Sequence, residues 1–149
     1  SLSPTAIPYA DLFLDLLNRD GIYHAVLSNT IYDSDDTFKL VNKLLPNNGL
    51  QFLLGSAEIG VKKPNKLFFD AGLNKAGIKK ENAIYIGDSF YADINGAFFS
   101  GFNNVIWLNA SHKSSSDYSK LNDFDKISFV DVSSFKEVIE LYRGGRLWK

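Results

Sequence analysis

The chain has 149 residues, 45% of them apolar and 14% aromatic, which suits one buried core and is wrong for a disordered chain. Its formal net charge is −1, with 16 basic and 17 acidic residues interspersed, so the basic surface of a nucleic-acid binder is not expected. It has no cysteine for disulfides or thiolate metal sites, and no apolar run reaches the roughly 18 residues of a membrane span.

No basic-plus-apolar leader opens the chain, and it has no methionine, not even at position 1. These features predict a cytoplasmic protein and a processed or excised segment.

In chain order, Pro8 can open a helix with Leu12, Phe13, Leu16 and Leu17 on one face, closed by Gly21. Ala25-Val26-Leu27 is a short apolar strand that ends in Ser28-Asn29-Thr30. Asp35 or Asp36 can cap a helix bearing Phe38, Val41, Leu44 and Leu45, stopped by Pro46 and the Asn47-Asn48-Gly49 turn. Phe52-Leu53-Leu54 reads as a buried strand. Pro64 then opens a helix with Leu67, Phe68 and Ala71 on its face, which ends near Gly77. Ala83 to Ile86 is a strand followed directly by Gly87-Asp88-Ser89, and a helix runs from about Tyr91 to Ser100. Val105 to Leu108 is a strand, 109–126 a polar loop, and Ile127 to Val132 a last strand. Ser134 and Glu137 form a capping-box pattern before Val138, Ile139 and Leu141.

Short apolar strands alternating with helices predict parallel pairing and a doubly wound α/β sheet in a single domain over 1–149. Ligands of such sheets bind beyond the carboxyl ends of the strands. Three ends carry suggestive chemistry. Ser28 and Asn29 offer a hydroxyl and an amide, although such a pair also serves as an ordinary turn. Lys63, before Pro64, can reach an anion held near a helix N-terminus, although a solvated lysine is the plainer alternative. Asp88 closes a buried strand, and Asp93 follows at the start of the next helix. Two carboxylates so placed can share a hard cation, or can simply turn the chain and complement the helix dipole.

The joint pattern is sharper than its parts. Ala25-Val26-Leu27-Ser28-Asn29-Thr30, Gly60-Val61-Lys62-Lys63-Pro64 and Gly87-Asp88-Ser89-Phe90-Tyr91-Ala92-Asp93 resemble, in this order, the second, third and fourth motifs of the haloacid dehalogenase superfamily. The resemblance runs from about Pro8 to Leu141. It implies phosphate-ester hydrolysis through an aspartyl-phosphate on a small phosphorylated substrate, with magnesium as cofactor. It further implies that Ser28, Asn29 and Lys63 bind the phosphoryl group, that Asp88 and Asp93 serve the metal, and that Asp93 alternatively orients Lys63. Phosphatase, phosphomutase and dehalogenase chemistries share these motifs.

The family's first motif, an apolar strand ending in Asp-x-Asp-x-Thr that bears the nucleophile, has no counterpart upstream of Val26, and no cap domain is visible. Asp33-Ser34-Asp35-Asp36-Thr37 satisfies the letters, but it follows the second motif in a helix-opening turn and reads as capping. His24 reads as edge or packing and His112 as solvated. Two functions remain open: the later part of a hydrolase whose nucleophile lies outside this chain, or a non-catalytic module that keeps a phosphate- or metal-binding lip. An unrelated doubly wound fold such as a receiver domain is the remote third. The missing central strand predicts a defect between the Ala25–Asn29 and Ile84–Asp88 strands. Direct pairing of those strands, or filling by a dimer partner or a second polypeptide, would close it. No nucleic-acid or membrane partner is expected.

Overall fold

A computed structural model of the chain describes residues 7–114 and 127–147. Helix α1 (Ala10–Arg19) leads into β1 (Val26–Ser28), α2 (Ser34–Leu44), β2 (Leu53–Gly55), the short α3 (Ser56–Ile59) and α4 (Lys66–Ala76). Strand β3 (Ile84–Gly87) is followed by a π-helical turn (Phe90–Asn95) and α5 (Gly96–Ser100), then β4 (Asn104–Leu108), β5 (Ser128–Val132) and α6 (Phe135–Arg143). Residues 115–126, most of the predicted polar loop, lie outside the described residues.

All strand pairs are parallel, as the alternation of elements predicts, but they form two sheets. β1 pairs with β2, with Ser28 in register with Gly55, while β3, β4 and β5 form the other sheet in that order. Among the described residues β1 and β3 do not hydrogen-bond to each other. The break separates the two strands between which a missing strand is expected, and direct pairing of those flanks, one of the three outcomes expected, is not seen. Side chains connect the two sheets. Phe69 of α4 lies with ring centroids 5.1 Å from Tyr85 and 6.0 Å from Phe102. Leu27 of β1 packs against both the Phe69 cluster and the Phe52–Leu54–Phe68 cluster beneath β2.

The three-stranded sheet is covered on both faces, which follows from the alternation of side chains along a strand. Ile84 and Ile86 point into a core with Phe13, Leu16 and Leu17 of α1 and Val138 and Ile139 of α6. Tyr85 points the other way, into the core that holds Phe69, Phe90, Ile94 and Trp107.

Several boundaries and faces differ from expectation. Leu12 is 49% exposed and Leu67 is 62% exposed, whereas Ala10 and Phe69 are buried. In α4 the buried set is Phe68, Phe69 and Gly72, because Gly72 leaves room for Leu27 of β1. The cap of α2 is Asp33, ahead of the expected Asp35 or Asp36, and its Oδ1 accepts the Asp36 N–H at 2.7 Å. Helix α4 begins at Lys66 with Asn65 as its cap, two residues after the Pro64 expected to open it. Glu137 accepts from the Ser133 N–H instead of that of Ser134, while the Ser134 hydroxyl accepts from the Lys136 N–H.

Candidate active site at the strand carboxyl ends

The loop after β1 is tied down on two sides. Asn29 clamps the backbone of Lys63, accepting its N–H at 2.8 Å and donating to its carbonyl at 3.1 Å. The Ser56 hydroxyl accepts the Thr30 N–H at 2.9 Å and donates to the Thr30 carbonyl at 3.0 Å. The Asn29 amide therefore holds the lysine-bearing segment with its oxygen and one of its two N–H donors.

Lys63 precedes a cis peptide bond to Pro64. Its ammonium donates to the Leu27 carbonyl at 3.0 Å and to Asp93 Oδ1 at 2.7 Å. The lysine and aspartate side chains are only 11% and 6% exposed. A buried charge is tolerable only when paired and hydrogen-bonded, and Asp93 is satisfied on both oxygens. Oδ1 takes the Tyr85 hydroxyl at 3.1 Å as well as Lys63, and Oδ2 takes the Ser89 N–H at 3.0 Å. Burial, followed by the negative charge of Asp93, holds the Tyr85 phenol well above the usual tyrosine range, so it is a neutral donor.

Local chain geometry sets this carboxylate. The Ser89 hydroxyl caps the turn through the Ala92 N–H, and both the Asp93 and Ile94 N–H groups reach the Ser89 carbonyl. A π-turn of this kind, rather than the expected regular helix, aims Asp93 back over β3, and such turns recur at functional sites. A Cβ on Gly87 would sit 2.4 Å from Asp93 Cβ, so only glycine lets the carboxylate lie against the strand.

Asp88 is half-buried at the end of β3. Its carbonyl accepts the Trp107 indole N–H from β4 at 3.0 Å, which fixes the backbone that presents its carboxylate. Ser28, also half-buried, follows the carbonyl that Lys63 binds. The structure thus joins Lys63 and Asp93 directly and places Ser28 and Asp88 one residue beyond Leu27 and Gly87. The Asp93 oxygens accept from Lys63, Tyr85 and Ser89, so in this structure the carboxylate orients the lysine. Among the described residues no group of three His, Cys, Asp or Glu side chains could hold a metal ion. The look-alike Asp33–Thr37 segment caps α2, as expected. Both ring nitrogens of His24 lie 2.8 Å from carbonyl oxygens, those of Ile22 and Asn48, a packing role.

Sequence reasoning missed Tyr85, Ser56 and Trp107. Tyr85 carries the one available signal, a phenol among aliphatic strand residues two positions before Gly87.

Fold and strand-end ionic cluster together define a class, the parallel α/β proteins with a charged cluster at the carboxyl edge of the sheet. The chain belongs to the haloacid dehalogenase-like hydrolases, whose family model matches residues 3–106. It is 30% identical over 126 residues to the glyceraldehyde 3-phosphate phosphatase of Methanothermobacter thermautotrophicus, covering 83% of this chain and 54% of that protein. It therefore spans about half the length of that curated relative. Among solved structures, an uncharacterized protein from Listeria monocytogenes serotype 4b aligns with a TM-score of 0.76 at 27% identity, covering 93% of this chain and 79% of the other. The 2-haloacid dehalogenase of Pseudomonas syringae pv. Tomato shares the fold, with a TM-score of 0.68 at 21% identity, covering 97% of this chain and 54% of the other. No helix among the described residues is long and apolar enough to cross a membrane.

Proposed function

We propose that this chain supplies most of a phosphate-ester hydrolysis centre for small phosphorylated substrates, and that the nucleophilic aspartate arrives on a strand that enters between β1 and β3. The observation that carries this reading is the ammonium of Lys63, held at the strand ends by Leu27 and Asp93. Those two bonds use two of its three N–H donors and leave the third for a phosphoryl oxygen. Similarity to a phosphatase supports the substrate class.

Each residue then has a task. Ser28 donates its hydroxyl to a second phosphoryl oxygen. Lys63 offsets charge on the group in transit, and Asp93 holds Lys63. Asp88, at a pinned strand end, is the carboxylate suited to a hard cation such as magnesium, which when bound neutralises phosphoryl charge. One such carboxylate falls short of a complete coordination shell, so further oxygen ligands from outside the described residues would be needed to hold the ion. In the chemical step an aspartate oxygen forms a bond to phosphorus as the ester P–O bond breaks. Water then cleaves the acyl phosphate. Positioning and preorganised charge supply most of the catalysis in such transfers.

The test uses the purified chain, magnesium and p-nitrophenyl phosphate, with and without a peptide whose apolar strand ends in Asp-x-Asp-x-Thr. Removing the nucleophile from a concerted site costs on the order of 10⁶ in rate, judged from another enzyme class. No turnover alone, and turnover in the mixture that Lys63→Ala abolishes, is the expected result. Turnover by the chain alone that Asp33→Asn abolishes would overturn it. Halide release from a 2-haloacid by the mixture, without phosphate release, would reassign the chemistry to dehalogenation.

A further inference from the structure

Tyr85 is the polar side chain of β3, and the roles assigned above to Ser28, Lys63, Asp88 and Asp93 leave it unused. Its hydroxyl donates to Asp93 Oδ1 at 3.1 Å, the same oxygen that takes Lys63 Nζ at 2.7 Å. Its ring is wedged edge-on between Phe69, at 5.1 Å, and Phe102, at 5.6 Å, so the hydroxyl has little freedom to leave. Tyr85 and Gly87 lie on the same face of β3. Gly87 makes room for the Asp93 carboxylate, and Tyr85 reaches it two residues back along the strand. The Ser89 N–H holds Oδ2. Oδ1 takes Tyr85 and Lys63, so without the phenol the lysine and the Ser89 anchor on Oδ2 would be left to set where that oxygen sits.

We propose that Tyr85 is a positioning residue of the phosphoryl-binding site, which fixes Asp93 Oδ1 and through it aims the remaining N–H of Lys63 at substrate. The inference rests on the phosphoryl-binding reading of Lys63. Without the hydroxyl, Oδ1 follows the ammonium, the Lys63–Asp93 pair gains rotational freedom, and the donor left for substrate loses its direction. The hydroxyl also shares the negative charge of Oδ1, which keeps Asp93 from drawing the ammonium wholly to itself. Tyr85 touches no reacting atom in this scheme.

The test is side-chain ¹⁵N NMR of the lysine ammonium groups in the chain and in Tyr85→Phe, which keeps the ring. Wild-type Lys63 should give an ordered, slowly exchanging NH₃⁺ signal that moves on titration with inorganic phosphate. In Tyr85→Phe that signal should lose order while amides remote from the site stay put, and phosphate affinity should fall about tenfold, the scale of one hydrogen bond to a charged group. Unchanged Lys63 order and phosphate affinity in a folded Tyr85→Phe would overturn the proposal. If the variant fails to fold, the wild-type protein decides. A protected Tyr85 hydroxyl proton with a nuclear Overhauser contact to Lys63 supports the role, and its absence rejects it. A wild-type Lys63 signal that ignores phosphate would sink the phosphoryl-binding reading itself, independently of whether Tyr85 orders the lysine.

Discussion

At the scale of single residues, the site is a buried ion pair held in place by neighbours. Breaking such a pair on one side leaves an uncompensated charge and costs about 3–5 kcal/mol, whereas replacing both partners by apolar groups of similar volume is often near neutral. Lys63→Met should therefore destabilise the chain by about 3–5 kcal/mol in urea unfolding. Lys63→Met with Asp93→Leu should cost less than the single change, because neither partner then leaves a charge behind. A double variant less stable than the single would show that Asp93 is held mainly by Tyr85 and Ser89. Tyr85 makes a second prediction. Its folded-state pKa is raised, mainly by burial and then by Asp93. A raised value contributes stability that is fully present below the unfolded pKa of about 10 and lost as pH climbs from there toward the folded value. Urea midpoints should therefore fall more steeply between about pH 9 and 11 in the wild-type chain than in Tyr85→Phe. Parallel curves would mean that the phenol ionises equally in both states.

At the scale of elements, α4 joins the two sheets. Phe69 is fully buried, touches the rings of Tyr85 and Phe102, and its ring fills the space where Gly96 lacks a side chain. Truncating a buried phenylalanine costs about 3–5 kcal/mol through lost transfer energy and the cavity left behind. Phe69→Ala should cost that much and also blur the Lys63–Asp93 pair, because Tyr85 loses one wall. Leu67→Ala, two residues away on the exposed side, should shift stability by under about 0.5 kcal/mol. Equal effects of the two variants would contradict the observed rotation of α4. The helix was legible in the sequence, but its face was not: Leu67, Phe68, Phe69 and Ala71 permit two overlapping stripes. The choice falls to Gly72, which lets Leu27 of β1 approach at a place that spacing within α4 cannot reveal. The π-turn before α5 escaped for a similar reason. Residues 90–95 have helical spacing, and only the pull of Asp93 toward Lys63 and Gly87 widens the turn.

At the scale of the whole molecule, β1 and β3 each pair with a strand on one side only among the described residues, and open edges recruit strands. A peptide that occupies the break binds only the folded chain, so it should raise the thermal midpoint in proportion to the logarithm of its concentration once above its dissociation constant. The same peptide with proline at alternate positions cannot donate to both edges and should leave the midpoint unchanged. An equal shift from both peptides would place binding elsewhere. The alternation of short apolar strands with helices was enough, read residue by residue, to establish parallel pairing, a doubly wound α/β class and the chemical identities at the strand ends, while the break in the sheet was expected only from the family resemblance. The first three depend on local pattern and on residue type, both of which are written along the chain. Which carboxylate meets the lysine, that Asn29 binds the Lys63 backbone, and that the flanking strands stay apart were settled by tertiary packing. Each depends on groups 30 or more residues apart, Asn29 with Lys63 and Lys63 with Asp93, and on the rings of Phe69, Tyr85 and Phe102 that hold the two sheets where they stand.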